Sequence, residues 1–345
     1  MRVLVTGGTG FVGAHVVAAL RAEGHEVRLL ARRLPRVADA VEPLGVDTGD
    51  VDIVLGDVTD AQALARALGG VDAIVHAANV YSLDPADTSA MWRVNVDGTR
   101  LLLHAAVERG LDPIVYVSSM TALLPGDGLT SDTPLGAARL AYPRTKAVAE
   151  RLAARLQDDG APVVITSPAS VHGPHDPNMG ESAKGVRAML RLPLGVSASG
   201  GFGVVDVRDL ALAHVRLLER PARPGRYLMG GHWLSVDAMY DLLETVTGRR
   251  LRRRHISIGA LLAGGGAAGA AARVGLDTGL SHGTAWLIAN FGTFDDGHTR
   301  RELGVEWRDP RDTLRDTVAW LHATGRLTSR QAGEAAVYAL APLRR

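Results

Sequence analysis

The sequence predicts an α/β fold: a doubly wound parallel sheet with a smaller, mostly helical C-terminal substrate lobe. Three observations predict it. The apolar run Val3-Leu4-Val5 leads directly into Thr6-Gly7-Gly8-Thr9-Gly10-Phe11-Val12-Gly13. Short apolar runs rich in β-branched residues then alternate with helical patterns, which builds βαβ units. After Pro168 the character changes, with longer loops and glycine clusters at Gly195 to Gly203 and Gly264 to Gly269.

The elements follow in order. The first strand ends at the glycine turn, and a helix is expected from Phe11 to Glu23. Further strands fall at Val27 to Ala31, Val51 to Leu55, Ala73 to His76, Ile114 to Val117 and Val163 to Thr166. Helical patterns lie at Ala61 to Leu68 and Met91 to Arg109. In the second half, Val207 to Glu219, Val236 to Thr247 and Asp312 to His322 read as helices, and Val204-Val205 and Tyr227-Leu228-Met229 as short strands. Residues 1–168 are expected to form a dinucleotide-binding domain to which some later segments return. Residues 169–330 form the substrate lobe and 331–345 a surface tail. Ligands of doubly wound sheets lie outside the carboxyl ends of the strands, so the lobe should close a cleft there.

Composition narrows the function. A net charge of +1 supplies no long-range field for nucleic acid or an anionic membrane. The absence of cysteine excludes disulfides, thiol catalysis and cysteine metal sites. The fold begins at residue 2, which leaves no room for a signal peptide. No apolar run reaches the ~18 residues of a membrane span. A soluble cytoplasmic protein is expected. The nearest apolar run, Ile256 to Ala272, reads as a loosely packed helix, with an interfacial membrane helix as the alternative.

The glycine turn carries the first chemistry. Gly7 allows the tight turn, Gly10 lets backbone approach a pyrophosphate, and Gly13 lets the helix pack on the strand. Thr9, Phe11 and Val12 lie at the helix N-terminus, where the pyrophosphate sits. The same triplet also serves tight connections with no ligand. An NAD site usually has an acidic residue near the end of the second strand. Here Arg32 and Arg33 stand there, and a guanidinium pair suits a 2′-phosphate. NADP is therefore preferred over NAD; solvated arginines are the plain alternative. Asp57 is placed to accept from an adenine amino group with Val58 packing on the ring, or to serve as a helix N-terminal turn residue. His76, Ala77 and Ala78 end the fourth strand, where small side chains let a cofactor pass close to the backbone; the imidazole itself reads as structural. Asn95 is a candidate cofactor residue, or a register pin between helix and strand.

Ser118-Ser119 ends the fifth strand, and Tyr142 and Lys146 lie one turn apart on one helical face. An ammonium beside a phenol lowers its pKa towards neutrality. A serine hydroxyl holds a substrate oxygen while the tyrosine exchanges a proton with it, and hydride passes at the adjacent carbon. Arg187 and Arg191 read as a solvated helical pair. His172 and His175 are candidates to orient substrate, or to support neighbouring groups or lie at the surface; with no third ligand nearby, no metal is expected.

These pieces together resemble the extended short-chain dehydrogenases/reductases, the NAD-dependent epimerase/dehydratase-like group. The matching segments are the glycine turn, Gly56-Asp57-Val58, His76-Ala77-Ala78, Asn95-Val96-Asp97-Gly98-Thr99, Val117-Ser118-Ser119 and Tyr142 to Lys146. Pro168 to Pro174, Val205 to Asp209, Arg300 to Gly304 and Leu314 to Leu321 extend the resemblance to about residue 325. It implies that Ser119 (rather than Ser118), Tyr142 and Lys146 are catalytic. It also implies that Pro168 and Val171 border the nicotinamide, and that a homodimer forms through helices near 91–109 and 142–157. Many sugar-nucleotide enzymes of the family have arginine where this chain has Ser167, and tyrosine where it has His172. The chain is more similar to the dihydroflavonol reductase, aldehyde reductase and 3β-hydroxysteroid dehydrogenase branch. The expected activity is an NADP-dependent interconversion of a carbonyl and an alcohol on a small, mostly apolar substrate. The rivals are an NAD-dependent nucleotide-sugar epimerase or dehydratase, and a non-catalytic nucleotide or redox sensor. The expected pocket walls are Asn79 to Pro85, Met120 to Leu140 and His172 to Met189.

Overall fold

Side-chain alternation along the first strand sets the architecture. Val3 and Val5 enter one apolar layer and Leu4 the other, so the strand is buried on both faces. The computed structural model describes residues 1–219, 224–272 and 281–338. Its strands are β1 (Arg2–Thr6), β2 (Glu26–Ala31), β3 (Asp52–Leu55), β4 (Ala73–His76), β5 (Ile114–Val117), β6 (Val163–Pro168), β7 (Ser170–His172), β8 (Gly195–Ala198), β9 (Gly201–Asp206), β10 (Gly225–Met229), β11 (His232–Ser235) and β12 (Arg253–Ile256). The helices of the first half are α1 (Phe11–Ala22), α2 (Pro35–Val41), α3 (Ala61–Ala67), α4 (Thr88–Met91), α5 (Thr99–Glu108) and α6 (Ala141–Asp158). Those of the second half are α7 (Glu181–Arg191), α8 (Val207–Glu219), α9 (Val236–Thr247), α10 (Ile258–Ala272), α11 (His282–Asn290), α12 (Gly297–Leu303), α13 (Pro310–Ala323) and α14 (Ser329–Ala332).

The main sheet has seven strands in the order β10-β6-β5-β4-β1-β2-β3, and every pairing is parallel. The order reverses between β1 and β4, the switch point at which doubly wound sheets bind ligands. The doubly wound expectation therefore holds. Tyr227 to Met229 lies in β10, which pairs with β6 and completes the main sheet. Helix α8 also packs on α1. The lobe core is built by α7, α9 and α13 around Val186, Leu243, Leu314, Val318 and Leu321.

Two expectations need correction. Met91 to Arg109 is not one helix: α4 ends at Met91, a wide π turn spans Trp92–Gly98, and α5 begins at Thr99. The tail does not begin at 331, because Ala332 and Ala335 are buried in the lobe core. Residues 339–345 of the expected tail lie outside the described residues.

Ionic clamps dock the lobe. Arg208 donates to Asp206 at 2.8 Å and to Asp316 of α13 at 2.6 Å, and Arg308 donates to Asp209 at 2.9 Å. Buried histidines tie helices to strands. His214 of α8 shares a hydrogen bond with Thr166 of β6 (3.0 Å), and His76 of β4 with Thr6 of β1 (2.7 Å) and Thr99 of α5 (2.9 Å). Burial lowers His76 to about 3 and lowers His15, His172 and His214 to about 4. The unfolded chain takes up these protons below about pH 6.5 and the fold does not, so stability falls as pH drops from 6.5 towards 4. A shift of this size is worth on the order of 3 kcal/mol per histidine. The urea midpoint should therefore be clearly lower at pH 5 than at pH 7.5. An unchanged midpoint would show that these rings are not buried neutral.

Candidate active site

The β1–α1 turn is a cradle of backbone. Gly7 has φ +78°, and a Cβ there would stand 2.5 Å from the Ala78 nitrogen. A Cβ on Gly13 would stand 2.3 Å from the Gly7 carbonyl, and one on Gly10 only 3.2 Å from it. The Gly10 N–H donates to the Gly7 carbonyl at 2.9 Å, which closes the turn. Helix α1 starts with no side-chain cap and no acid in its first turn. Thr9, Phe11 and Val12 are half-buried around this uncapped end. The residues fit a pyrophosphate, which the free amides and helix dipole would hold. Ala77 and Ala78, half-buried, form the facing wall.

The adenosine end is charged. Arg32 and Arg33 are exposed, and their side chains make no hydrogen bond or ion pair among the described residues. Asp57 Oδ1 accepts from the Thr59 amide (3.0 Å) and hydroxyl (2.8 Å), so its turn role is real. Partial burial disfavours its charge, but the Thr59 bonds and then the fields of Arg32 and Arg93 hold it below the usual range. Sequence reasoning missed Arg93, which the π turn brings to this corner. Val58 packs against Gly98, where a Cβ would stand 2.8 Å from the valine.

Two expected cofactor residues turn inward instead. His76 is fully buried with both ring nitrogens engaged, so only its backbone borders the cleft. Asn95 accepts from the Val80 amide (2.7 Å) and donates to the Val80 carbonyl (3.0 Å) and Thr145 hydroxyl (3.2 Å). It pins the loop after β4 to α6, which is the register role. Pro168 is buried at the end of β6, and Val171 of β7 is half-buried beside the core.

Ser119, Tyr142 and Lys146 converge where β5 ends against α6. The two serines divide. Ser118 donates to buried Glu150 at 2.5 Å, while Ser119 faces Tyr142, whose pKa it draws down, and accepts from the Thr121 amide at 3.2 Å. Burial raises Tyr142 to about 12, against the opposing effect of Ser119. This differs from the expected lowering towards neutrality. The reason is geometric: Lys146 Nζ donates to the Val117 carbonyl at 2.7 Å and lies over the Tyr116 ring at 5.0 Å. Burial lowers Lys146 to about 7, with the Glu150 charge working against that fall.

Glu150 and Arg226 are the functional surroundings that sequence reasoning missed. Arg226 of β10 donates to Glu150 at 2.5 Å and to the carbonyls of Ser131 (3.0 Å) and Thr133 (2.5 Å). One ion pair thus joins α6, β10 and the expected pocket wall. Its only sequence signal is that Glu150 follows Lys146 by one helical turn. On the other wall, Tyr81 packs on Tyr142 with ring centroids 4.4 Å apart.

The loop after β7 reaches the glycine turn, where Asn178 donates to the Thr9 carbonyl at 3.2 Å. His175 (φ 61°) and Met179 (φ 49°) hold left-handed backbone, and Asp176 braces the loop by accepting from the Gly180 amide at 2.7 Å. His172 stacks on Phe202 and is buried neutral. The expected basic pair splits, because Arg187 is half-buried with an unpartnered Nε while Arg191 is exposed. No group of side chains suited to a metal occurs among the described residues.

Residues 3–230 match the NAD dependent epimerase/dehydratase family. The chain belongs to this family. Its relatives include a putative dihydroflavonol 4-reductase of Synechocystis, 33% identical over 71% of this chain and 72% of that protein. Sterol demethylase protein B of Methylococcus capsulatus is 28% identical over 94% of this chain and 99% of that protein. The fold also matches UDP-glucose 4-epimerase of Bifidobacterium longum, solved with NAD+ and UDP (TM-score 0.72, 19% identity, 94% of this chain and 99% of that one). The resemblance read from the sequence is confirmed, and family members bind a nicotinamide dinucleotide.

Replacing Arg226 by Met should destabilise the protein by about 3–5 kcal/mol, because a buried carboxylate loses its cation. Adding Glu150→Gln should recover part of that loss. Urea denaturation of both variants checks this, and equal losses would refute a coupled pair.

Proposed function

We propose that the protein is an NADP-dependent oxidoreductase that interconverts a carbonyl and an alcohol on a small, mostly apolar substrate. The observation that carries the reading is the meeting of Ser119 with Tyr142, one helical turn from buried Lys146. In the reductive direction Tyr142 gives its proton to the carbonyl oxygen, which Ser119 also holds by hydrogen bond. Lys146, held on the Val117 carbonyl, would stabilise the phenolate once its ammonium turns towards Tyr142, and Glu150 favours its charged form. The bound nicotinamide supplies or takes the hydride.

The apolar substrate is the expectation for the segment Met120 to Leu140, which is anchored from behind by a buried apolar cluster of Met120, Leu123, Leu124, Leu129 and Phe291. The names of two relatives refer to a dihydroflavonol and to a sterol, both carrying fused rings. NADP is supported by the free, exposed Arg32 and Arg33 and by Arg93 nearby. A homodimer belongs to the same proposal, because Leu101 of α5 and Leu152 of α6 are only partly covered.

Tyr142→Phe should lower turnover by about 10²- to 10⁴-fold while leaving NADPH affinity near wild type. Turnover near wild type removes Tyr142 from the chemistry. An epimerase would instead retain cofactor through purification and show no net nicotinamide turnover.

Arg32→Ala should cost about 1.5–3 kcal/mol of NADPH binding, roughly 10- to 150-fold, with little change for NADH. Arg33→Ala should cost less, since Arg32 is the one whose field reaches Asp57. Dissociation constants at fixed salt decide this. Equal losses for the two cofactors, or a wild type that prefers NADH, would reject phosphate recognition.

A further inference from the structure

Strands β8 and β12 form a two-stranded parallel ribbon in which Val196 pairs with Arg254 and Ala198 with Ile256. Its two faces are unlike. One packs on α9: a Cβ on Gly195 would strike the Tyr240 ring, and Arg253 pairs with Asp237 at 3.0 Å and with Asp241. On the other face, Ala198 and Ile256 are covered by Leu261 of α10 and Ala285 of α11. The Val196–Arg254 end of that face is open.

The open end is both apolar and basic. Leu192, Leu194 and Val196 are 41%, 55% and 40% exposed. Arg191, Arg250, Arg252 and Arg254 are exposed beside them, and their side chains make no ion pair or hydrogen bond among the described residues. The apolar character continues onto α10, which packs on the same ribbon face. Over Ile258 to Gly266 the helix carries no charged or polar side chain, and Ala260 and Ala263 are exposed. The neighbouring α11 touches the cleft: a Cβ on Gly283 would stand 3.0 Å from Leu83, in the loop that also carries Tyr81.

Unpaired arginines bordering exposed leucines call for an anionic partner with an apolar interior. Nucleic acid would satisfy the arginines and leave the leucines in water. A second copy docked on this face would set arginines against arginines. A bilayer with anionic headgroups satisfies both, and no helix among the described residues is long and apolar enough to cross it.

We propose that the Leu192–Val196, Arg250–Arg254 and α10 face seats this protein on an anionic lipid surface. The leucines enter the headgroup–acyl boundary and the arginines lie on lipid phosphates. The net charge of +1 does not oppose this, because the attraction is local and acts within a Debye length. The proposal stands independently of the redox reading and places the cleft mouth near a reservoir of apolar molecules.

Vesicle flotation of the full chain tests it, with phosphatidylcholine vesicles and with phosphatidylcholine–phosphatidylglycerol vesicles. Wild type should float with the anionic vesicles only, and less so as salt rises. The Arg252→Gln/Arg254→Gln variant should bind about 25-fold more weakly, at about fivefold per arginine. Leu194→Ser should also weaken binding while leaving its salt dependence intact. Urea midpoints of both variants should match wild type, since the altered side chains are exposed. No flotation at low salt, equal binding to neutral and anionic vesicles, or undiminished binding by the double arginine variant would each overturn the proposal. So would concentration-dependent dimerisation abolished by Leu194→Ser in a chain that ignores vesicles, because the face would then belong to a second copy.

Discussion

Backbone lies directly against backbone where the β1–α1 turn meets the end of β4, and the site is arranged around that contact. Gly7 has no room for a side chain beside Ala77 and Ala78, and Gly13 has none beside Gly7. The contact draws the start of α1 into the switch point between β1 and β4, leaving its first amides uncapped and turned to the cleft. The same closeness lets His76 bridge Thr6 and Thr99, which locks neighbouring strands and a helix together beneath the turn. A methyl group at either glycine would separate layers that the rest of the core is packed to join.

The second constraint is electrostatic. Three ionisable groups sit at the end of β5, almost out of water: Tyr142, Lys146 and Glu150. Burial opposes every charged form there, which is why the phenol rises and the lysine falls. Glu150 counters that fall in Lys146, and Arg226 in turn compensates Glu150. The cation that sustains this arrangement comes from β10 and also holds the Ser131 and Thr133 carbonyls. Anything that loosens the Ser131–Thr133 segment therefore loosens the lysine's surroundings. Coupling between the position of that segment and charge is built into one ion pair.

The lobe is held by a different device. Asp206, Arg208 and Asp316 form a nearly buried triad linking the end of β9 to α13, with Arg308 and Asp209 alongside. This explains the Val205 to Asp209 motif as architecture. Separately, the loop after β7, with its left-handed His175 and Met179, reaches the glycine turn through Asn178, which donates to the Thr9 carbonyl.

Much of this protein is written locally. Strands β4 and β5 and helices α8 and α9 lie where periodicity places them, because alternation and 3.6-residue spacing encode which side is buried. The glycine turn, Arg32 and Arg33, and the one-turn spacing of Tyr142 and Lys146 are legible for the same reason: their geometry is contained in a few consecutive residues. Other features depend on residues far apart in the chain. Periodicity shows that Tyr227 to Met229 is a strand but not that β6 is its neighbour. The wide turn around Asn95 is stabilised by Val80 and Thr145, and nothing in its own sequence marks it. Glu150 and Arg226 are separated by 76 residues, and their pairing exists only once β10 joins the sheet. The direction of the Lys146 ammonium, towards Val117 rather than the phenol, was likewise decided by tertiary packing. A pattern of residues specifies which side of an element avoids water; which distant group meets it there, and hence its charge, is settled only when the layers close.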